Sequence, residues 1–140
     1  MQPASTSTIA SKTLWTGRLL TGVAIIFLIF DTALKILKLP IAVEGTTQLG
    51  YPETVVVGIG IIELVCLVLY AVPRTSIAGA ILLTGYLGGA IATHVRIGSP
   101  LFSHTLFPIY VAALVWGGLY LRDQRMRGIL RPGTRTLPVL

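Results

Sequence analysis

Residues 75–96 read TSIAGAILLTGYLGGAIATHVR. From Thr75 to Thr93, nineteen residues, no side chain is charged. A helix of that length spans about 28 Å, close to the ~30 Å hydrocarbon core of a bilayer. The stretch is also rich in small residues: Gly79, Gly85, Gly88, Gly89, Ala90 and Ala92. Glycine costs about 1 kcal/mol against alanine in an exposed soluble helix. In a membrane it lets helix backbones approach, and Gly85 and Gly89 stand at the spacing of a GxxxG contact. Gly85, Gly88 and Gly89 are therefore expected to pack against a second helix. Polarity returns at Thr93, His94 and Arg96.

The surrounding composition agrees with a lipid setting. The chain is 140 residues long, 54% hydrophobic and only 11% charged, where soluble domains average about 25%. A water-soluble fold of one domain would lack polar surface to cover itself. The net charge of +6 does not point to nucleic acid, because the basic residues sit at segment ends and in the tail. Membrane orientation accounts for them. Cys66 is the single cysteine, so an intrachain disulfide and a CxxC centre are excluded. It falls in an apolar run and reads as a small buried residue.

Outward from residues 75–96, three more spans appear. Residues 1–12 are Ser/Thr-rich and read as a disordered cytoplasmic lead-in. A first helix is expected over about 14–37. It is uninterrupted from Leu19 to Phe30, then carries Asp31, Lys35 and Lys38, and Pro40 ends it. Residues 41–53 contain Glu44, Gly45, Gly50 and Pro52 and read as a connection. The second span, about 54–72, carries Glu63 near its middle. Pro73-Arg74 then makes a turn too short for anything but antiparallel neighbours. A loop with Phe102 and His104 leads to the fourth span, about 105–121, where Pro108 lies in the first turn. Gly117 and Gly118 give it a small packing face. Residues 123–140 form an Arg-rich tail. The expected fold is all-α, an antiparallel four-transmembrane-helix bundle. Eight of the eleven basic residues lie on the side of the two ends, which the positive-inside rule places in the cytoplasm of a bacterial inner membrane.

Several polar groups lie in the wrong solvent. Asp31 and Lys35 are four apart and share a helix face. Pairing lowers a cost of ~2.5–3.5 kcal/mol for a charge at a span centre. Lys35 at a helix end is also placed to snorkel to the headgroups. Glu63 sits about ten residues inside its span, so it must face the bundle. It serves there either as interhelical glue or as a proton or ligand site. Tyr86 lies at the depth of Glu63, and His94, titratable near neutral pH, lies nearer the surface with Arg96. Asp31, Lys35, Glu63, Tyr86, His94 and Arg96 form a candidate polar pocket. No second His or Cys shows metal-ligand spacing. No phosphate loop, GxSxG elbow, HExxH or CxxCH occurs, so no self-contained catalytic motif is present.

Taken together, Phe30-Asp31 with Lys35, Gly50-Tyr51-Pro52, Gly60-x-x-Glu63, Pro73-Arg74-Thr75, the run Gly85 to Arg96, and Trp116 to Arg122 (WGGLYLR) resemble the DoxX-like family of small four-helix membrane proteins. The resemblance covers about residues 13–130. It implies a four-helix membrane bundle, and its name comes from a subunit of a thiosulfate:quinone oxidoreductase. The first expectation for function is an accessory or ligand-binding membrane subunit, working with a membrane protein partner or as a homo-oligomer in the lipid bilayer. A second is a quinone-handling component of a membrane oxidoreductase, with His94 or Tyr86 bonding a quinone carbonyl and Glu63 exchanging protons. A third is a transporter of a small solute or proton, with Glu63 on its path.

Overall fold

The computed structural model describes the backbone of residues 5–130 and the side chains of residues 11–130. Helix α1 runs Ser5–Ile36, α2 Pro40–Gln48, α3 Val56–Ala71, α4 Ser76–Arg96, α5 Phe107–Arg122 and α6 Gln124–Leu130. A 3-10 turn, Glu53–Val55, precedes α3, and a π turn, Leu101–Thr105, precedes α5. No strand occurs among the described residues. Four helical stretches are long and apolar enough to cross a membrane: Ser11–Ile36, Glu53–Ala71, Ser76–Arg96 and Leu101–Arg122.

Three boundaries differ from the sequence reading. Residues 5–12, expected as coil, continue α1. No Gly or Pro stands between Ser5 and Thr16, and a helix once nucleated adds a bond for each residue fixed. Residues 41–53, expected as a plain connection, contain α2. Pro40 is its first helical residue, so this proline starts a helix rather than only ending one. The tail begins with α6. Residues 1–4 of the lead-in and 131–140 of the tail, with Arg131 and Arg135, lie outside the described residues.

The bundle is apolar on its outer surface as well as in its core, with a few polar groups buried between the helices. Leu19, Ile26, Phe30, Ile62, Val65, Val68 and Ile81 are exposed. Glu63, Ser76, Thr21 and Thr105 are buried. Lipid stabilises the first set as water could not, and penalises the second if it faces outward. Between the helices lies a core of Ala24, Leu28, Cys66, Leu67, Tyr70, Ala80, Leu83, Leu87, Val111, Val115 and Leu119.

Close approach is made by glycines other than those expected. A Cβ on Gly60 would lie 2.9 Å from Lys35 Cβ, and one on Gly17 2.8 Å from the Arg122 backbone nitrogen. One on Gly118 would lie 2.8 Å from the Thr21 backbone nitrogen, and one on Gly79 inside 3.0 Å of the Tyr70 backbone. Residue numbers thus rise along α1 as they fall along α5. By contrast, Gly85, Gly88 and Gly89 meet nothing within 4 Å, and Gly117 meets only Leu20 Cδ1 at 3.8 Å. Of the small residues expected to pack helices, Gly118 makes a tight contact, and the three on α4 make none within the chain.

The end of the bundle opposite Lys12 and Arg122 is closed by helix stops. Lys38, Gly50 and Gly98 have positive φ, at 52°, 85° and 69°. Each sits in a Schellman stop, with the next residue donating to a carbonyl five back: Leu39 to Leu34, Tyr51 to Thr46, Ser99 to His94. At the other end Asp123 caps α6. Its carboxylate accepts from the Arg125 backbone at 2.9 Å, from the Arg125 guanidinium at 2.8 Å, and from buried Ser76 at 3.4 Å. Those Arg125 bonds hold the Asp123 carboxyl below the usual carboxylate range, against an opposing push from partial burial.

Candidate functional site

A cavity of about 830 Å³ occupies the half of the bundle away from Arg122. Its walls are mostly apolar. Phe27 of α1 and Phe107 of α5 stack edge to face at 5.3 Å between ring centres, joined by Leu28, Ile59, Leu87 and Val111. Helix α2 forms a flap on one side through Ile41, Gly45 and Thr46.

The cavity exists because α4 presents little to it. Gly85, Gly89 and Ala90 line it, and nothing lies within 4 Å of where a Cβ would stand on either glycine. The α4 glycines read from the sequence as packing residues therefore hollow out a space instead. Gly88 falls about 160° round the helix from Tyr86 and does not line the cavity.

A polar cluster lies on one wall. Lys35 reaches in from α1, Glu63 from α3 and Tyr86 from α4. Lys35 Nζ donates to Asp31 at 2.5 Å, to Glu63 Oε2 at 2.8 Å and to the Tyr86 hydroxyl at 2.9 Å. Tyr86 in turn donates to the same Glu63 Oε2 at 2.9 Å. Lys35 can reach Glu63 because Gly60, one turn earlier on α3, has no side chain to hold α1 off. Glu63 is 0% exposed, while the Asp31 side chain is 36% exposed. Glu63 Oε1 is buried with no hydrogen-bond partner.

Of the six candidate pocket residues, the structure joins Asp31, Lys35, Glu63 and Tyr86 directly. His94 lines the same cavity but bonds Ser99 through Nδ1 at 3.0 Å, not Glu63. Its ring stands edge to face with His104, 5.8 Å between centres. Arg96 does not line the cavity. It donates to the Leu49 carbonyl at 2.6 Å and so ties α4 to the end of α2. Arg96 is the last residue of α4, and its guanidinium is drawn to that carbonyl rather than into the cavity. Thr93, seven residues after Tyr86 and about 20° off its face, lines the cavity and bonds the Tyr51 hydroxyl at 3.0 Å. Thr93 and Tyr51 were not read as site residues, although the seven-residue spacing was available. His104, expected in the loop before the fourth span, also lines the cavity. No group of three His, Cys, Asp or Glu that would hold a metal ion occurs among the described residues.

A model of the DoxX-like family matches residues 19–118, which include all of the cluster and all of the cavity wall. No curated protein and no solved structure matches the chain.

Proposed function

The chain belongs to the DoxX-like family, and from that premise we propose that it is an accessory, ligand-binding subunit that holds a small amphipathic molecule in the cavity beside Glu63. The carrying observation is that a fully buried carboxylate, with one oxygen unpartnered, lines a space of about 830 Å³. Small-molecule sites commonly measure about 300–1,000 Å³, with apolar walls and a few convergent polar groups. A carboxylate that served only as glue would not need an empty space beside it. On the far side of Glu63 the interior is filled by Leu67, Tyr70, Leu83 and Leu119, which favours binding over passage. The basic residues Lys12, Arg18, Arg74, Arg122, Arg125 and Arg127 support a cytoplasmic location for that filled end in a bacterial inner membrane. The cavity then faces the outer half of the bilayer.

The test is co-extraction. Wild type and Gly89→Leu are prepared in the same mild detergent, and bound small molecules are compared by mass spectrometry. A species near one per chain in wild type and absent from Gly89→Leu is the expected result. Identical profiles would overturn the reading. A quinone-handling role is the second reading, supported by the Phe27 and Phe107 walls and by His94 beside the same cavity. Recovery of a quinone as the Gly89-sensitive species would favour it.

A further inference from the structure

From the hydrogen-bond inventory of the cluster we infer that the ligand of this cavity is an organic cation, an apolar body with a protonated amine head that sits against the Asp31 and Glu63 carboxylates. This rests on the binding role proposed above and names its chemistry.

An ammonium has three N–H donors, and Lys35 spends all three, on Asp31, Glu63 and Tyr86. The one phenolic proton of Tyr86 goes to Glu63 Oε2. No donor of Lys35 or Tyr86 is left over for a ligand. What remains is acceptor capacity: Glu63 Oε1 has no partner but is sealed behind the wall, and Asp31, partly open, is the carboxylate that a cation in the cavity can touch. At the cluster, with Glu63 ionised, a head group that only accepts, such as a ketone or quinone carbonyl, would have to break one of these charge-assisted bonds. One that donates completes the set.

Charge points the same way. With both carboxylates ionised, Asp31 and Glu63 face the single ammonium of Lys35, and the cluster carries one surplus negative charge. The other titratable groups that line the cavity are Tyr51, Tyr86, His94 and His104, none of which carries a fixed positive charge. His94 is engaged with Ser99 and His104 with Ser103. A surplus charge away from water is costly, and a cation beside it offsets that cost. The volume excludes a bare inorganic ion as the fitted occupant, and the apolar walls call for a hydrocarbon body.

Four probes of one shape separate the possibilities: 1-adamantylamine, 1-adamantanol, 2-adamantanone and 1-adamantanecarboxylate. Binding is measured at neutral pH by equilibrium dialysis against the protein in phosphatidylcholine nanodiscs, with empty nanodiscs subtracted for partition. The amine is expected to bind at least about tenfold more tightly than the ketone, the gain typical of one added charge-assisted bond. The carboxylate is expected to bind weakest. Glu63→Gln should erase the preference for the amine over the alcohol, and Gly89→Leu should remove binding of all four. A ketone or alcohol that matches the amine in wild type, or a carboxylate that exceeds it, overturns the cation assignment while leaving a Gly89-sensitive cavity in place. Absence of Gly89-sensitive binding for every probe means the cavity itself is not a ligand site, and both conclusions fall. The four-probe comparison uses wild type alone, so it stands even if a variant does not fold.

Discussion

Lys35 is the residue on which the polar cluster depends. It is the one positive charge between two carboxylates, and its amine touches three partners on three helices. Lys35→Ala would leave Glu63 buried and uncompensated, the costly case for an ion pair within a low-dielectric interior. We expect a loss of about 3–5 kcal/mol, read from unfolding in mixed micelles, and a larger loss than for Glu63→Gln. Equal losses would show that Lys35 is not the charge that balances the cluster. The four joined residues were legible in sequence because ionisable groups inside an apolar span have few places to go. Arg96 misled because it was judged by depth alone. Depth places a side chain along the bundle, whereas a carbonyl within reach, here that of Leu49 at the end of α2, decides where an arginine at a helix end goes.

At the scale of helices, small residues have two opposite uses, and composition does not separate them. Gly79 brings α4 against the Tyr70 backbone, while Gly89 leaves a hole. Gly79→Leu is expected to cost about 1–3 kcal/mol or more by overpacking, whereas Gly89→Leu should change stability by no more than about 0.5 kcal/mol. Thermal unfolding of the two variants side by side checks this. Comparable destabilisation would restore the α4 glycines as packing residues, for instance against another copy. The four spans were legible from their length and lack of charge. Helix α2 was not, because Gly45, Gly50 and Pro52 carry turn signals that mask nine residues whose helix starts with Pro40. The three stops at the cavity end invite another test. Gly50 and Gly98 adopt positive φ without penalty, but Lys38 does so with a side chain. Lys38→Gly should therefore stabilise the fold by about 1 kcal/mol, since the Lys38–Glu53 pair it removes is exposed at 3.3 Å and contributes little. No gain in unfolding free energy would mean that this pair holds the loop after all.

The chain has a filled, basic end and a hollow end where acidic and basic residues nearly balance. Reporter fusions after Leu140 and within residues 41–53 should give opposite signals, cytoplasmic for the first, because most basic residues lie on that side. A cytoplasmic signal from 41–53 would invert the molecule and turn the cavity inward. The basic end also has a defined pH response. The Asp123 carboxyl is held below its ordinary value by Arg125, so its contribution to docking α6 is complete above the unfolded carboxylate value. It fades only as pH falls below about 4, through the lowered value. Protection of the α6 amides from hydrogen exchange should be flat from pH 8 to 5, after correction for intrinsic rates, and drop only in acid. A loss near neutrality would assign the docking to another group.

Cys66 gives the molecule a built-in clock. It is the chain's single thiol, 6% exposed, one turn beyond Glu63 on α3 and packed into the filled half of the core. A membrane-permeant alkylating reagent can reach it only when α3 parts from its neighbours. The labelling rate of the unmodified protein therefore reports how often the bundle opens, and slowing of that rate on filling the cavity measures how far an occupant locks the helices together.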